Sequence, residues 1–132
     1  MPERKTLEQA RRAKRQGKSP STQAGAFVRE EIEHIREGKH GARSAKQAIA
    51  IGLSKARRAG VRLKTPAKGR ASAATRRNAA RDSAIGNMTR RSAPSKRRSR
   101  AALEKLRDEP RSAASHLALS RQARAAAARR KR

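Results

Sequence analysis

The chain has 132 residues, of which 37 are Lys or Arg and 10 are Asp or Glu, so its formal net charge is +27. It contains one aromatic residue, Phe27, and no cysteine, which excludes disulfides and thiolate metal sites. Packing of so little bulky apolar material cannot offset the entropy of ordering the whole chain, and we expect most of it to be flexible when alone.

The positive charge is concentrated in the later part of the chain. Residues 1–37 hold 9 basic and 6 acidic side chains, whereas residues 38–132 hold 28 and 4. This asymmetry favours a small ordered part followed by a segment that binds a polyanion. No apolar run resembles a signal peptide or a membrane span, and we therefore expect a cytoplasmic protein.

The first two segments differ in how strongly they predict a helix. Residues 4–16, in a basic N-terminal arm (1–21), form a polar helix with Thr6 as its expected N-cap. In residues 21–37 the apolar side chains recur at helical spacing, which predicts a firmer helix. Gly38 follows that helix and is predicted to end it as the C′ residue.

A third helix is predicted between Ser44 and Gly60. Ser44 and Gln47 have the spacing of a capping box, and small residues line one face of the helix. Such a face lets another helix approach closely, so we expect a helical hairpin over residues 22–60. A hairpin of this size is below the usual size for independent folding, and we expect it to dimerise or to pack on something else. The residues predicted for helix packing and self-association are Phe27, Val28, Ile32, Ile35, Ala48, Ile49, Gly52, Leu53 and Ala56.

The remaining sequence is basic and of low complexity. We interpret residues 61–98 as a linker, because Pro and Gly interrupt them and no continuous apolar face is present. We expect residues 99–132 to be an Ala/Arg-rich helical tail with Ser99 as an N-cap. Two alternatives stay open for this tail, a second helical hairpin or a segment that becomes helical only on a polyanion. The predicted fold class is therefore all-α, with a largely flexible basic remainder.

No constellation of residues predicts catalysis. Glu31 and His34 have the Glu-x-x-His spacing of di-iron carboxylate bundles, but those sites need a second copy and two further glutamates. We interpret the two residues as an ordinary surface pair. We expect no enzyme activity, no metal, no cofactor and no small-molecule substrate.

The loop "GKHGARS" is a candidate anion site. It places Lys39, His40 and Arg43 just before the N-terminus of the third helix, where free amides and the helix dipole favour negative charge. The alternative is a glycine-containing connector with solvated charges. We favour a phosphate contact because the composition of the whole chain requires polyanions.

The composition predicts nucleic-acid binding through phosphate. Arginine outnumbers lysine 26 to 11, and guanidinium pairs with phosphate in a bidentate fork. One Phe cannot build a base-stacking platform, so we prefer duplex DNA over RNA. The lack of aromatic residues on an amphipathic face also argues against membrane binding. The candidate nucleic-acid-binding residues are Lys39, Arg43, Lys46, Lys55, Arg57, Arg58, Arg76, Arg77, Arg90, Arg91, Lys96, Arg97, Arg98, Arg100, Arg121, Arg124, Arg129 and Arg130.

Two parts of the chain resemble known proteins. The stretch "FVREEIEHIREGKHGARSAKQAIAIGLSKARRAG", residues 27–60, resembles a family of small basic bacterial proteins of uncharacterised function, and "RSRAALEKLRDEPRSAASHLALSRQARAAAARR" is similar to the C-terminal half of its longer members. The resemblance implies a bacterial, cytoplasmic setting and brings no activity. The basic segments are also similar in composition to linker-histone tails.

These patterns support three hypotheses about function. The first is a nucleoid-associated or histone-like accessory that binds DNA without sequence specificity. The second is an RNA- or ribosome-associated basic protein that uses the same charges. The third is an adaptor whose helical hairpin docks a partner protein.

Overall fold

The computed structural model describes residues 2–88 and 95–130. Apart from an isolated bridge between Lys68 and Ala71, all regular structure in these residues is helical, which confirms the all-α prediction. The helices are α1 (Arg4–Arg15), α2 (Pro20–Arg36), α3 (Ala45–Arg58), α4 (Ala73–Gly86), α5 (Lys96–Arg107), a short 3₁₀ helix (Ser112–Ala114) and α6 (His116–Arg130).

Serine side chains start most of these helices. A serine Oγ accepts a hydrogen bond from the amide three residues later, which satisfies one of the free N–H groups of the first turn. The prediction for Ser44 is confirmed, but α1 has Glu3 and α5 has Ser95 at the N-cap, so the predictions of Thr6 and Ser99 are wrong. The capping serines are Ser19, Ser44, Ser72, Ser95 and Ser115.

Helix α2 ends in a Schellman motif at Gly38. The Gly38 amide donates to the Ile35 carbonyl at 3.1 Å, and the Lys39 amide donates to the His34 carbonyl at 3.0 Å. This pattern requires a left-handed residue, and Gly38 has a φ of 81°. The predicted C′ role of Gly38 is therefore confirmed, and glycine is suited to it because it has no Cβ to clash.

The described residues divide into two compact units, and the first contains residues 2–30 and 51–88. Its apolar core centres on Phe27, which is fully buried. Helix α1 and the segment after α3 both contribute to this core, so the expected N-terminal arm and linker take part in it. Its members are Leu7, Ala10, Ala24, Phe27, Leu53, Ala56, Ala59, Val61 and Leu63.

Within the first unit, α2 and α3 come into backbone contact at Gly52. A Cβ placed on Gly52 would lie 2.7 Å from the Cα of Val28, which is closer than Cβ atoms approach in proteins. The α3 helix axis therefore lies near α2 because residue 52 has no side chain. This is the close approach for which small residues on a helix face are suited.

The segment expected to be a linker, residues 61–98, contains the 14-residue helix α4. This helix belongs to the first unit, and it buries Ala79, Asp82 and Gly86. Its hydrophobic residues are mostly alanines, which explains why no continuous apolar face was visible in the sequence.

The second unit contains residues 31–50 and 95–130. Its core centres on the fully buried Ile35, with Ile32, Ala42, Ala48, Ala113 and Ala114 around it. The loop after α2 packs directly against the segment after α5. A Cβ on Gly41 would lie 1.9 Å from the carbonyl oxygen of Glu109, which leaves no room for a side chain at residue 41. The expected division at residues 21, 60 and 98 thus does not coincide with the two units.

The predicted packing residues are shared between the two units. Phe27, Val28, Gly52, Leu53 and Ala56 lie in the first, and Ile32, Ile35, Ala48 and Ile49 lie in the second. Because the largest of them are buried inside a single chain, they serve helix packing, and self-association stays a prediction.

Candidate nucleic-acid interface

The cations of the chain far exceed the carboxylates that can pair with them. The first unit holds 18 basic and 4 acidic side chains in its described residues, and the second holds 15 and 6. Some of the acids already pair internally, as in the contact between Arg4 and Glu8 at 3.3 Å. Most of the positive charge therefore faces solvent.

Helix α5 displays a dense group of exposed cations. The helix buries no residue, so its whole circumference is accessible except for the half-buried Leu106. Its first turn carries basic side chains and no acidic ones, although the positive end of the helix dipole lies there. A bound phosphate would relieve this repulsion. The predicted binding residues on α5 are Lys96, Arg97, Arg98 and Arg100.

A shallow groove of about 440 Å³ in the second unit brings three predicted binding residues together. Arg43 comes from the loop just before α3, Lys46 from the first turn of α3, and Arg121 from α6. All three side chains are exposed, and the N-terminus of α3 adds the positive end of its dipole. We call this the basic groove. Its lining is Arg43, Ser44, Ala45, Lys46, Ser112, Ala113, Ala118, Arg121, Gln122 and Ala125.

Helix α6 extends the exposed charge beyond the basic groove. Arg124, Arg129 and Arg130 are exposed on this helix, which buries none of its residues. In the first unit, Arg77 is exposed on α4. Arg90 and Arg91 lie outside the described residues. The cations of α5, α6 and the basic groove are therefore available to a polyanion.

The loop between α2 and α3 uses its own amides for hydrogen bonds within the second unit. The Gly41 amide donates to the Leu106 carbonyl at 2.8 Å, and the Ala42 amide donates to the Pro110 carbonyl at 3.0 Å. His40 is buried, so it does not face solvent. Of the three residues proposed for this loop, Arg43 points into the basic groove, and Lys39 pairs with Glu37 at 3.3 Å.

The structure corrects the role predicted for Arg57 in the interface. Its side chain is buried, and it donates a hydrogen bond to the Lys64 carbonyl at 3.0 Å. Burial lowers the pKa of the Arg57 guanidinium, and the negative charge of Asp82 opposes that shift. Arg57 thus holds the turn after α3 in place instead of reaching a phosphate.

Three further predicted nucleic-acid-binding residues are half-buried or already make contacts within the first unit. Arg58 donates to the Asp82 carboxylate at 2.8 Å while half of its side chain stays exposed. Arg76 donates to the Pro66 carbonyl at 3.1 Å, and Lys55 is half-buried. A guanidinium has five N–H donors, so Arg58 and Arg76 keep donors for a second partner.

The structure also identifies important residues that sequence reasoning missed. Asp82 is buried and accepts hydrogen bonds from Ser54 and Arg58. Arg111 donates to the carbonyls of Ile35 and Arg36, the last residues of α2. The one available signal was that Asp82 is a single acid in a long basic stretch.

The chain has no significant match among protein-family models, curated proteins or solved structures. Among the residues that the structure describes, no helix has the length and apolarity needed to cross a membrane.

Proposed function

We propose that this protein binds nucleic acid through phosphate contacts without sequence specificity, with duplex DNA as the preferred partner. The observation that carries the proposal is the basic groove, where two elements far apart in sequence direct Arg43, Lys46 and Arg121 to one surface. Guanidinium and ammonium groups with no carboxylate among the groove residues favour an anionic ligand. The exposed cations of α5 and α6 extend the contact.

The preference for duplex DNA follows from what the described surface presents. Base-specific binding of single strands uses exposed aromatic side chains, and the single Phe27 is fully buried. Backbone binding to a duplex needs positive charge and reach, which exposed arginines on α5 and α6 supply. In a bacterial setting this is the activity of a nucleoid-associated or histone-like accessory.

A test compares loss of charge in the basic groove with the same loss elsewhere. We expect the triple replacement Arg43→Ala/Lys46→Ala/Arg121→Ala to weaken binding to a random-sequence duplex and to reduce the salt slope by about 2.7, at about 0.9 per lost contact. The matched control Arg11→Ala/Arg12→Ala/Arg15→Ala removes three exposed charges from α1. Equal effects of the two triples would contradict a role for the groove.

The alternative partner is structured RNA, and competition at fixed ionic strength separates the two. The labelled duplex is displaced with unlabelled duplex or with a folded RNA of equal phosphate content. We expect the duplex to compete at least as well as the RNA. A strong preference for RNA would reassign the same phosphate-binding surface to an RNA- or ribosome-associated role.

A further inference from the structure

The second unit contains a compact cluster of three metal-ligating side chains. The carboxylate of Glu31 and the rings of His34 and His40 offer ligand atoms that all lie within 4.8 Å of one another. Glu31 and His40 are buried, with exposures of 1% and 7%, and His34 is half-buried. A carboxylate and two imidazoles that converge inside a small cationic protein call for a physical explanation.

The hydrogen bond at His40 fixes which ring nitrogen faces the cluster. The Nδ1 atom lies 2.9 Å from the Gly41 carbonyl oxygen, which can only accept, so Nδ1 must carry the proton. The Nε2 atom of the neutral ring then has a lone pair, and it lies 3.2 Å from the Oε2 of Glu31. Two lone pairs facing each other at this distance require a cation, either a proton or a metal ion, to bridge them.

The 3.2 Å between Nε2 and Oε2 suits a bridging metal ion as well as a shared proton, and the presence of a third ligand favours the metal ion. Two ligands of a tetrahedral zinc ion, bound at about 2.0–2.2 Å, lie about 3.4 Å apart, which is close to the separation of Nε2 and Oε2. A shared proton would need only these two groups. The third group, His34, lies beside them, with its ring edge-on to that of His40.

We propose that Glu31, His34 and His40 form a Zn²⁺-binding site. Two histidines and one glutamate are a known three-residue ligand set for zinc, in which a water molecule takes the fourth position. The carbonyl of Gly41 accepts a hydrogen bond from Nδ1 of His40 and so fixes the tautomer in which Nε2 can bind metal. The ion would fasten the loop at residue 40 to α2. The site does not depend on the nucleic-acid proposal.

The test measures zinc binding to the untagged full-length chain. We expect titration with ZnCl₂ to show one saturable site, and CoCl₂ to give the visible absorption of a tetrahedral ion. His34→Ala should weaken binding at least about 100-fold, since loss of even an outer-shell partner costs 10–100-fold. His116→Ala, which alters an exposed histidine outside the cluster, should leave the affinity unchanged.

The choice of variants also distinguishes loss of the zinc site from loss of the fold. His34→Ala leaves the contact between Glu31 and His40 in place, and its helix content is checked by circular dichroism before titration. Absence of saturable binding to the wild type would overturn the proposal and leave a buried proton-bridged pair. Unchanged affinity in a folded His34→Ala variant, or equal loss in His116→Ala, would overturn it as well.

Discussion

The Asp82 carboxylate in α4 accepts a hydrogen bond from the Nε of Arg58 in α3 at 2.8 Å. The other oxygen of the same carboxylate accepts from the Ser54 hydroxyl at 2.7 Å. Asp82 is the one acidic residue of α4, and it is buried. The first unit therefore uses a single carboxylate to join a strongly basic helix to its neighbour.

Replacing Asp82 with alanine should destabilise the protein by about 2 kcal/mol, because hydrogen bonds to a charged group contribute about 1.5–3 kcal/mol. The change also removes the negative charge that opposes the burial of the Arg57 guanidinium. The free energy of unfolding is measured by urea denaturation followed by circular dichroism. The control Asp108→Ala changes the net charge equally at an exposed position. A loss of similar size in both variants would assign the effect to general charge repulsion.

Glycine-to-alanine changes in two helices should have opposite signs. A Cβ on Gly86 would lie 1.9 Å from the Arg57 carbonyl oxygen, so Gly86→Ala must displace backbone and should lower the melting temperature. Gly25 is exposed in α2 with no atom within 4 Å of such a Cβ, so Gly25→Ala should stabilise by about 0.5–1 kcal/mol through helix propensity. Stabilisation by Gly86→Ala would show that α4 does not pack where the structure places it.

The charges at the two ends of α5 should affect stability and binding differently. Lys96 lies in the first turn, where a cation opposes the helix dipole, and Lys105 lies in the last turn, where it is favourable. Lys96→Glu should therefore raise stability by about 0.3–1 kcal/mol, whereas Lys105→Glu should lower it by a similar amount. Both variants should bind duplex more weakly. An unchanged affinity for Lys96→Glu would remove the first turn of α5 from the interface.

Arg111 should stabilise the second unit by closing the C-terminus of α2. Its guanidinium donates to the carbonyls of Ile35 and Arg36, and a Cβ placed on Gly38 would lie 3.6 Å from its Cζ atom. Arg111→Ala should cost about 1–2 kcal/mol, because these carbonyls lose a charged donor at the negative end of the helix dipole. Arg100→Ala, an exposed change in α5, should stay within about 0.5 kcal/mol of the wild type in thermal unfolding. Equal effects would contradict the capping role.

The sequence predicted features that depend on local chemistry. The helical spacing of apolar residues predicted α2, and the spacing of Ser44 and Gln47 predicted the start of α3. Gly38 ends α2, as its position in the sequence predicts. The left-handed conformation of a C′ residue depends only on the backbone of the last helical turn, so local sequence is enough to indicate it. The bulk charge also predicts a polyanion partner, and this stays a prediction.

Burial that depends on distant segments was not predictable from local pattern. His40 lies in a loop whose neighbouring amides are held by the carbonyls of Leu106 and Pro110, more than 60 residues later. The helical position of Arg57 predicts an exposed cation and gives no sign of the Lys64 carbonyl that its buried side chain reaches. The sequence of α4 predicts a linker, because alanines and one buried carboxylate, instead of large apolar residues, hold this helix in place.

The central claim is tested most directly by the salt dependence of binding to a random-sequence duplex, followed by fluorescence anisotropy from low to physiological ionic strength. If about ten side chains contact phosphate, the log–log slope of affinity against salt should be near roughly −9. The dissociation constant at physiological salt should lie at about 10⁻⁴–10⁻⁶ M. A slope near zero, or no binding to the duplex even at low salt, would contradict the claim that the exposed cations of this protein serve phosphate.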